Sequence, residues 1–424
     1  MSPNNRRIEP RWHYAWTMML VSMFVILIGG SFSTLSGLIS TANEGEVDGG
    51  ALNLAVALNM VCYGLAAPFG AALVGRYGFR KIVSGSVFGI ALGALVLSTA
   101  PSSMTAVLGW GLLVGTGTGG VSMTLAAVLA NVWFYQRRGL VTGVLTASTV
   151  VGQFGFQPVI AGLIEVTDWR FALTTMGAAT VLVAIIAMSL LRNRPEDIGT
   201  RPYGAPDDYA PTEGARSGNA LGDTFRALLV NIRRPVVWTL FLVFAMCGAT
   251  TNGIMWSHFV PSAHHHGMAV AAGALLLSVM GFTNIFGTLL SGWLTDRVAV
   301  WKILTVVFVF RGVFLALLPI WLGPSITPWI VGFSVAFGVL DLATVPPVIR
   351  AAYAVDPQGG GILFGWINLA HQVGAGLMSL VGGFIMQAEL DSVLWVASGI
   401  VCLVAGVTSA LFLRRISPNR VTAV

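Results

Sequence analysis

Twelve long apolar runs joined by short polar connections limit what this chain can become. A helix needs about 20 mostly apolar residues to cross hydrocarbon. Inside lipid every backbone N–H and C=O has to be satisfied within the fold, so runs of this length read as helices. Hydropathy and breaker residues place the first six at 14–38, 52–74, 82–100, 105–133, 139–163 and 171–191. The second six fall at 236–259, 268–292, 301–322, 326–350, 361–386 and 392–413. Charged residues make up 9% of the chain, against about 25% in soluble domains, too few to cover a water-facing surface. The polar stretch 192–235, with Pro195, Pro202, Pro206 and Pro211, has the composition of a linker. The expected fold is an all-α membrane protein of twelve transmembrane helices in two six-helix bundles, 1–191 and 236–424, around the linker 192–235.

Basic residues orient this arrangement. With both termini on the cytoplasmic side, all of the 23 Lys and Arg except Arg170 and Arg311 fall in cytoplasmic segments. The outer loop 41–50 carries Glu44, Glu46 and Asp48 and no basic residue. That asymmetry is the positive-inside pattern, and it puts the chain in a cell inner membrane as a multi-pass protein. The net charge of +6 is therefore topological, and nucleic acid is not an expected partner. The first apolar run is longer than the core of a cleavable signal and reads as a retained helix. Cys62, Cys247 and Cys402 each lie in an apolar span, which argues against a disulfide framework.

Short motifs narrow the class. Gly292-Trp293-Leu294-Thr295-Asp296-Arg297, followed by Lys302, closes span 8, and Gly75-Arg76-Tyr77-Gly78-Phe79-Arg80-Lys81 closes span 2. The chain resembles the major facilitator superfamily, whose Gly-x-x-x-Asp-Arg-x-Gly-x-x-Lys loop occurs at these two places. Gly75 stands where the first copy would carry Asp. The resemblance implies a charge latch at a helix end, with Asp296, Arg297, Arg76 and Arg80 as gating residues and the span 2 copy the weaker. Trp133-Phe134-Tyr135-Gln136-Arg137-Arg138-Gly139-Leu140, Arg194-Pro195-Glu196-Asp197-Ile198-Gly199 and Phe364-Gly365-Trp366 with His371-Gln372 are similar to the bacterial branch related to monocarboxylate and oxalate/formate carriers. Span 4 has Gly111 where an Arg is often found, and span 8 has no basic residue, which disfavours a dianion such as oxalate.

Two formal charges sit well inside spans, Arg311 and Asp341. A charge at the bilayer centre costs at least about 2.5–3.5 kcal/mol on insertion scales, so such residues face a cavity or a partner. Both lie roughly 14–15 Å from their cytoplasmic helix ends at 1.5 Å per residue. Two readings stand: Asp341 exchanges protons with Arg311 as its switchable partner, or the two form a permanent structural pair. His371, midway along span 11, is able to be charged or neutral near pH 7 and is a candidate for a substrate anion. His258 caps span 7 or serves an outer gate. The run His264-His265-His266 falls in an outer loop, and its spacing does not suit a metal. Asn252, Gln153, Asn59 and Gln372 lie on spans expected to face a cavity, as do Tyr63, Gln157, Thr251, Asn284 and Asn368; Trp366 could contact an aromatic solute. For each polar residue an interhelical hydrogen bond is the plain alternative. The Gly115–Gly119 alternation lacks a preceding strand and reads as close helix packing, not a nucleotide loop. Pro346-Pro347 reads as a hinge or a static kink near the inner end of span 10.

No phosphate-binding loop, metal spacing or nucleophile elbow occurs, and the linker is too short for a catalytic domain. An enzyme and a self-contained ATP-driven pump are both disfavoured, and no cofactor is expected. The expectation is a secondary active transporter of a small organic solute, foremost a monocarboxylate, working by alternating access as a monomer with protons as coupling ion. The alternative is a carrier for a vitamin or other neutral or aromatic metabolite, or a multidrug-type exporter.

Overall fold

Almost every apolar run is helical, and the ends fall within a few residues of the hydropathy boundaries. The computed structural model describes residues 12–33, 35–43, 45–121, 125, 129, 130, 132–206, 220–295, 297–357 and 359–415. The first bundle comprises α1 (Tyr14–Ser33), α2 (Gly49–Tyr77), α3 (Phe79–Thr99), α4 (103–120), α5 (138–166) and α6 (Trp169–Leu190). The second comprises α7 (Pro235–His265), α8 (Val270–Thr295), α9 (Val300–Trp321), α10 (Pro328–Val355), α11 (Gly360–Gln387) and α12 (Asp391–Phe412). Among the described residues eleven of these helices are long and apolar enough to cross a membrane; α4 makes the twelfth span. The linker contributes a helix, Ala220–Asn231, and its end of the bundle is called the linker face below.

Three boundaries differ from expectation by five or six residues, the end of α10 at Val355 instead of 350 among them. The first run was expected to continue to residue 38, but α1 ends at Ser33 and a separate short helix, Ser36–Ala42, follows. The seventh helix runs on through Pro261 to His265, so His264 and His265 belong to its last turn and not to a loop. Pro261 lies inside that helix and removes the main-chain bond to the Ser257 carbonyl, but the helix continues past it to His265.

The two bundles repeat one packing plan. In the first, α1 packs on α5, α2 on α4 and α3 on α6. Adding six to each number gives the plan of the second: α7 on α11, α8 on α10 and α9 on α12. Between bundles, α2 meets α11 and α5 meets α8, and the short helix Ser36–Ala42 meets the end of α7. Glycines line these seams. Gly64 faces the Gln372 side chain, Gly376 the Ala57 carbonyl and Gly365 Pro68. Small residues let backbones approach where lipid supplies no hydrophobic drive between helices. The alternating glycines of α4 serve the same purpose: Gly115 and Gly119 abut the main chain of Asn59 and Tyr63 on α2.

Candidate functional site

Four spanning helices lose α-helical regularity at mid-depth. In α4 residues Ala106–Val114 are π-helical, as are Val151–Gly155 in α5 and Ala249–Met255 in α7. In α10 the α-helix stops at Asp341, passes through a 3₁₀ turn, Leu342–Thr344, and resumes at Val345. Pro346 and Pro347 lack the N–H groups that would bond four residues back, which leaves the carbonyls of Leu342 and Ala343 without their helical donors. Irregular backbone at membrane depth is tolerated only where neighbours supply the lost bonds.

The Val345 N–H supplies the Leu342 carbonyl from within the turn, and neighbouring helices hold the rest of the break. Ser291 of α8 donates its hydroxyl to the Ala343 carbonyl at 2.5 Å. Asn284, also on α8, works in both directions: its Oδ1 accepts from the Leu342 N–H at 2.9 Å and its Nδ2 donates to Asp341 Oδ2 at 3.2 Å. Arg311 of α9 reaches the break with both terminal nitrogens. Nη2 donates to the Leu340 and Asp341 carbonyls at 2.5 Å each, and Nη1 to Cys247 Sγ of α7 at 3.1 Å. The Cys247 thiol lies 3.4 Å from Thr344 Oγ1 in turn. Phe308 and Phe337 flank the guanidinium, with ring centroids at 5.4 and 5.9 Å. Arg311 is fully buried and Asp341 nearly so.

The level agrees with the sequence, and one depth does not: Arg311 lies eleven residues from the linker-face start of α9, but α10 runs on to Val355, which puts Asp341 fourteen residues from its linker-face end instead of nine. The bonding differs. Arg311 binds the two main-chain oxygens at the break, not the carboxylate of Asp341, which is held by Asn284. A guanidinium presents several donors in a rigid fork and can cap two carbonyls at once. Sequence inspection flags Asn284 as one polar residue among several, and gives no sign of Ser291, Cys247 or Thr344.

His371 stands on α11 against α7, its ring 4.7 Å from that of Phe244 and its carbonyl beside Gly248. It is half-buried and within electrostatic range of Asp341 and Arg311. Two nitrogens of this group, His371 Nδ1 and Arg311 Nε, are buried without a hydrogen-bond partner. The structure therefore brings His371, Asp341 and Arg311 to one level of the second bundle.

The other candidates divide. Gln153 and Asn252 sit inside the π-helical segments of α5 and α7, half-buried near the seam between bundles. Gln372 is buried against Gly64 of α2. Asn59 donates to the Trp110 carbonyl at 2.8 Å and so ties α2 to the irregular part of α4. Trp366 faces away from the cluster: its Nε1 donates to the Thr224 carbonyl of the linker helix at 3.0 Å, and its ring packs with Phe69 and Phe225. An indole anchored there braces the linker helix where α2 and α11 meet. His258 is buried, with Nε2 2.9 Å from the Ser379 carbonyl.

None of the three described gating residues bridges the bundles. Arg76 lies over the Tyr77 ring at 5.4 Å, and Arg297 folds over Trp293 at 4.2 Å. Arg80 donates through Nε to the Met188 carbonyl at 2.6 Å, capping the end of α6. Asp296 lies outside the described residues. The opposite face is held shut across the bundles. Phe154 of α5 packs on Trp256 of α7 with centroids 4.4 Å apart, and Ser278 of α8 donates to the Phe154 carbonyl at 2.5 Å. Glu165 accepts from the Ala271 N–H at 3.0 Å, capping the start of α8 from α5. Arg170, a basic residue on this face, pairs with Glu46 at 2.7 Å.

The comparisons agree with this geometry. The chain is 26% identical over 412 residues to the uncharacterized MFS-type transporter YcxA of Bacillus subtilis, covering 94% of this chain and 93% of that protein. It is 28% identical over 328 residues to monocarboxylate transporter 13 of Bos taurus, covering 75% and 70%. Among solved structures it superposes on a peptide transporter POT in complex with sulfate at a TM-score of 0.72 and 14% identity, covering 97% and 96%. A D-xylose-proton symporter matches at 0.70 and 14%, covering 94% and 98%. The family model described as Major Facilitator Superfamily matches residues 17–360. That match runs from α1 to the end of α10, most of the chain: the protein is a membrane transporter, not an enzyme, and belongs to the Major Facilitator Superfamily.

Proposed function

We propose that this transporter carries a small monocarboxylate together with a proton, using the cluster at the break of α10. The observation that carries the reading is His371 Nδ1, buried without a hydrogen-bond partner and within electrostatic range of Arg311 and Asp341. Buried polar atoms are nearly always bonded, so one that is not calls for a reason. A solute carboxylate is an acceptor that a protonated imidazole would bond and pair with.

Charge balance then supports coupling. With His371 neutral, Arg311 and Asp341 sum to zero. A carboxylate entering alone would leave one uncompensated charge at mid-membrane, at a cost of at least about 2.5–3.5 kcal/mol. A proton taken up on His371 or Asp341 with the anion restores neutrality. The relatives named monocarboxylate transporters, bovine transporter 13 among them, favour this solute class. The basic-residue asymmetry supports a cell inner membrane with the linker face and both termini in the cytoplasm; alternating access between two bundles of one chain needs no second copy.

Proteoliposomes with an entrapped pH dye test the reading, using lactate and pyruvate against protein-free vesicles. An inward proton gradient is expected to accelerate uptake, with dye acidification that follows the solute. His371→Gln is expected to lower uptake about tenfold or more, equivalent to about 1.4 kcal/mol. Asp341→Asn is expected to keep solute exchange while removing its response to the gradient. Uptake indifferent to the gradient in the unmodified protein would overturn the coupling. Transport of uncharged solutes but of neither acid would overturn the substrate class.

A further inference from the structure

Beside the linker face lies a groove unrelated to the cluster. It is walled by Trp238, Leu242 and Ala245 of α7 and by Leu369, Ala370 and Val373 of α11. Leu228 and Ile232, at the end of the linker helix, roof it, and its volume is about 450 Å³. Its lining is almost wholly apolar, so a polar solute or peptide has nothing to bond to inside it. It is also open along one side: Trp238 is 56% exposed, and Leu229 on the linker helix is 64% exposed. Side chains this apolar and this exposed at the end of a spanning bundle belong against lipid.

The rim differs from the lining. Arg233 and Arg234 follow Ile232 directly and are both exposed. Arg234 donates through Nη1 to the Val355 carbonyl, which fixes its position at the start of α7. Trp238 Nε1 donates to the Ile232 carbonyl at 2.8 Å, setting an indole at the rim, where aromatic belts meet the headgroup layer. The neighbouring acid, Asp356, has both oxygens engaged, by Asn231 Nδ2 and by the Gly359 N–H, each at 2.8 Å. An apolar slot roofed by Ile232, with two exposed arginines next in the chain, is complementary to an anionic amphiphile. From Trp238 to Ala245 the slot follows α7 for seven residues, roughly 10 Å at 1.5 Å per residue, within one leaflet.

We infer that this groove is a binding site for one anionic phospholipid, an acyl chain lying between α7 and α11 under the linker helix and the phosphate headgroup against Arg233 and Arg234. The lipid would brace the contact by which Trp366 holds the linker helix to α11. The inference does not depend on which solute the transporter carries.

Native mass spectrometry of the full chain, purified in detergent, tests it with phosphatidylglycerol and phosphatidylcholine of the same acyl chains. One retained phosphatidylglycerol is expected, preferred by about fivefold per rim arginine. Arg233→Gln is expected to reduce that preference without abolishing lipid retention. Ala370→Phe, which fills the slot, is expected to abolish the tightly held lipid of either kind while thermal unfolding in detergent stays cooperative. Equal retention of the two lipids by the unmodified protein would overturn the inference, as would retention unchanged in Ala370→Phe. Stabilisation by water-soluble glycerol phosphate equal to that by phosphatidylglycerol would also overturn it, since the site would then be one for free anions.

Discussion

At the scale of single residues, Arg311 shows what a sequence reveals about a buried charge and what it withholds. Its depth and its level with Asp341 are countable from the helix ends, because the rise per residue is fixed. Its bonding is not countable, because that depends on which groups the break in α10 leaves open. The guanidinium caps the Leu340 and Asp341 carbonyls and holds Cys247, so it is a structural member of the cluster as well as a counter-charge. Removing it would strip the Leu340 carbonyl of its guanidinium donor, leave the Asp341 carbonyl only the 3.4 Å hydroxyl of Thr344, and leave Asp341 without its nearby cation. Arg311→Leu is therefore expected to destabilise the protein by about 3–5 kcal/mol, the range for breaking a buried charge pair. Arg311→Lys keeps the charge but has no planar fork, and is expected to fall between the two. Asp341→Asn keeps an oxygen for Asn284 but leaves the buried Arg311 charge uncompensated, and is expected to destabilise the protein by about 3 kcal/mol, the low end of that range. Thermal unfolding in detergent measures the order, and an Arg311→Leu protein as stable as its parent would remove the capping role.

At the scale of elements, the Pro346-Pro347 pair made the break in α10 legible, since proline has one local effect wherever it falls. The π-helical segments of α4, α5 and α7 were not legible: Ala106–Val114 and Ala249–Met255 carry no proline and read as ordinary apolar helix. Their signal lies in partners far along the chain. Asn59 on α2 bonds the Trp110 carbonyl in α4, and Asn284 on α8 bonds Asp341 and Leu342 in α10. These are equivalent helix pairs in the two bundles, so an asparagine on one helix steadies the irregular stretch of its neighbour in each half. The break in α10 is held by side chains, whereas a continuous helix would hold itself. Pro347→Ala gives the Ala343 carbonyl a main-chain donor in competition with Ser291. Hydrogen exchange is expected to slow at the Leu342–Thr344 amides, and turnover in proteoliposomes to fall severalfold with substrate affinity little changed. Faster or unchanged turnover alongside slower exchange would mean that the break does not bend during transport.

At the scale of the whole molecule, the chain's high glycine content announced close helix packing without saying where. The structure locates it at the seams on which the bundles must rock. On the face away from the linker, Gly37 lies against the main chain of Ser257, where an added Cβ would come within 3.1 Å of the carbonyl oxygen. Phe154 on Trp256 and Glu165 on the Ala271 N–H close the same face. A side chain longer than a methyl at residue 37 has no room while that face is shut, but meets no such wall once the bundles part. A substitution that acts on one of two states shifts their ratio by its differential cost alone. Gly37→Leu is thus expected to favour the state open on that face. Gln153, one residue from Phe154, reports on it. In a Gln153→Cys protein, whose native cysteines Cys62, Cys247 and Cys402 are all buried, an impermeant maleimide added from the side away from the linker should react slowly. Adding Gly37→Leu should raise that rate about tenfold, which corresponds to a shift of about 1.4 kcal/mol between the states. If the rate does not change, or if labelling from the linker side rises instead, Gly37 is packing within one state and the face it lines is not a gate.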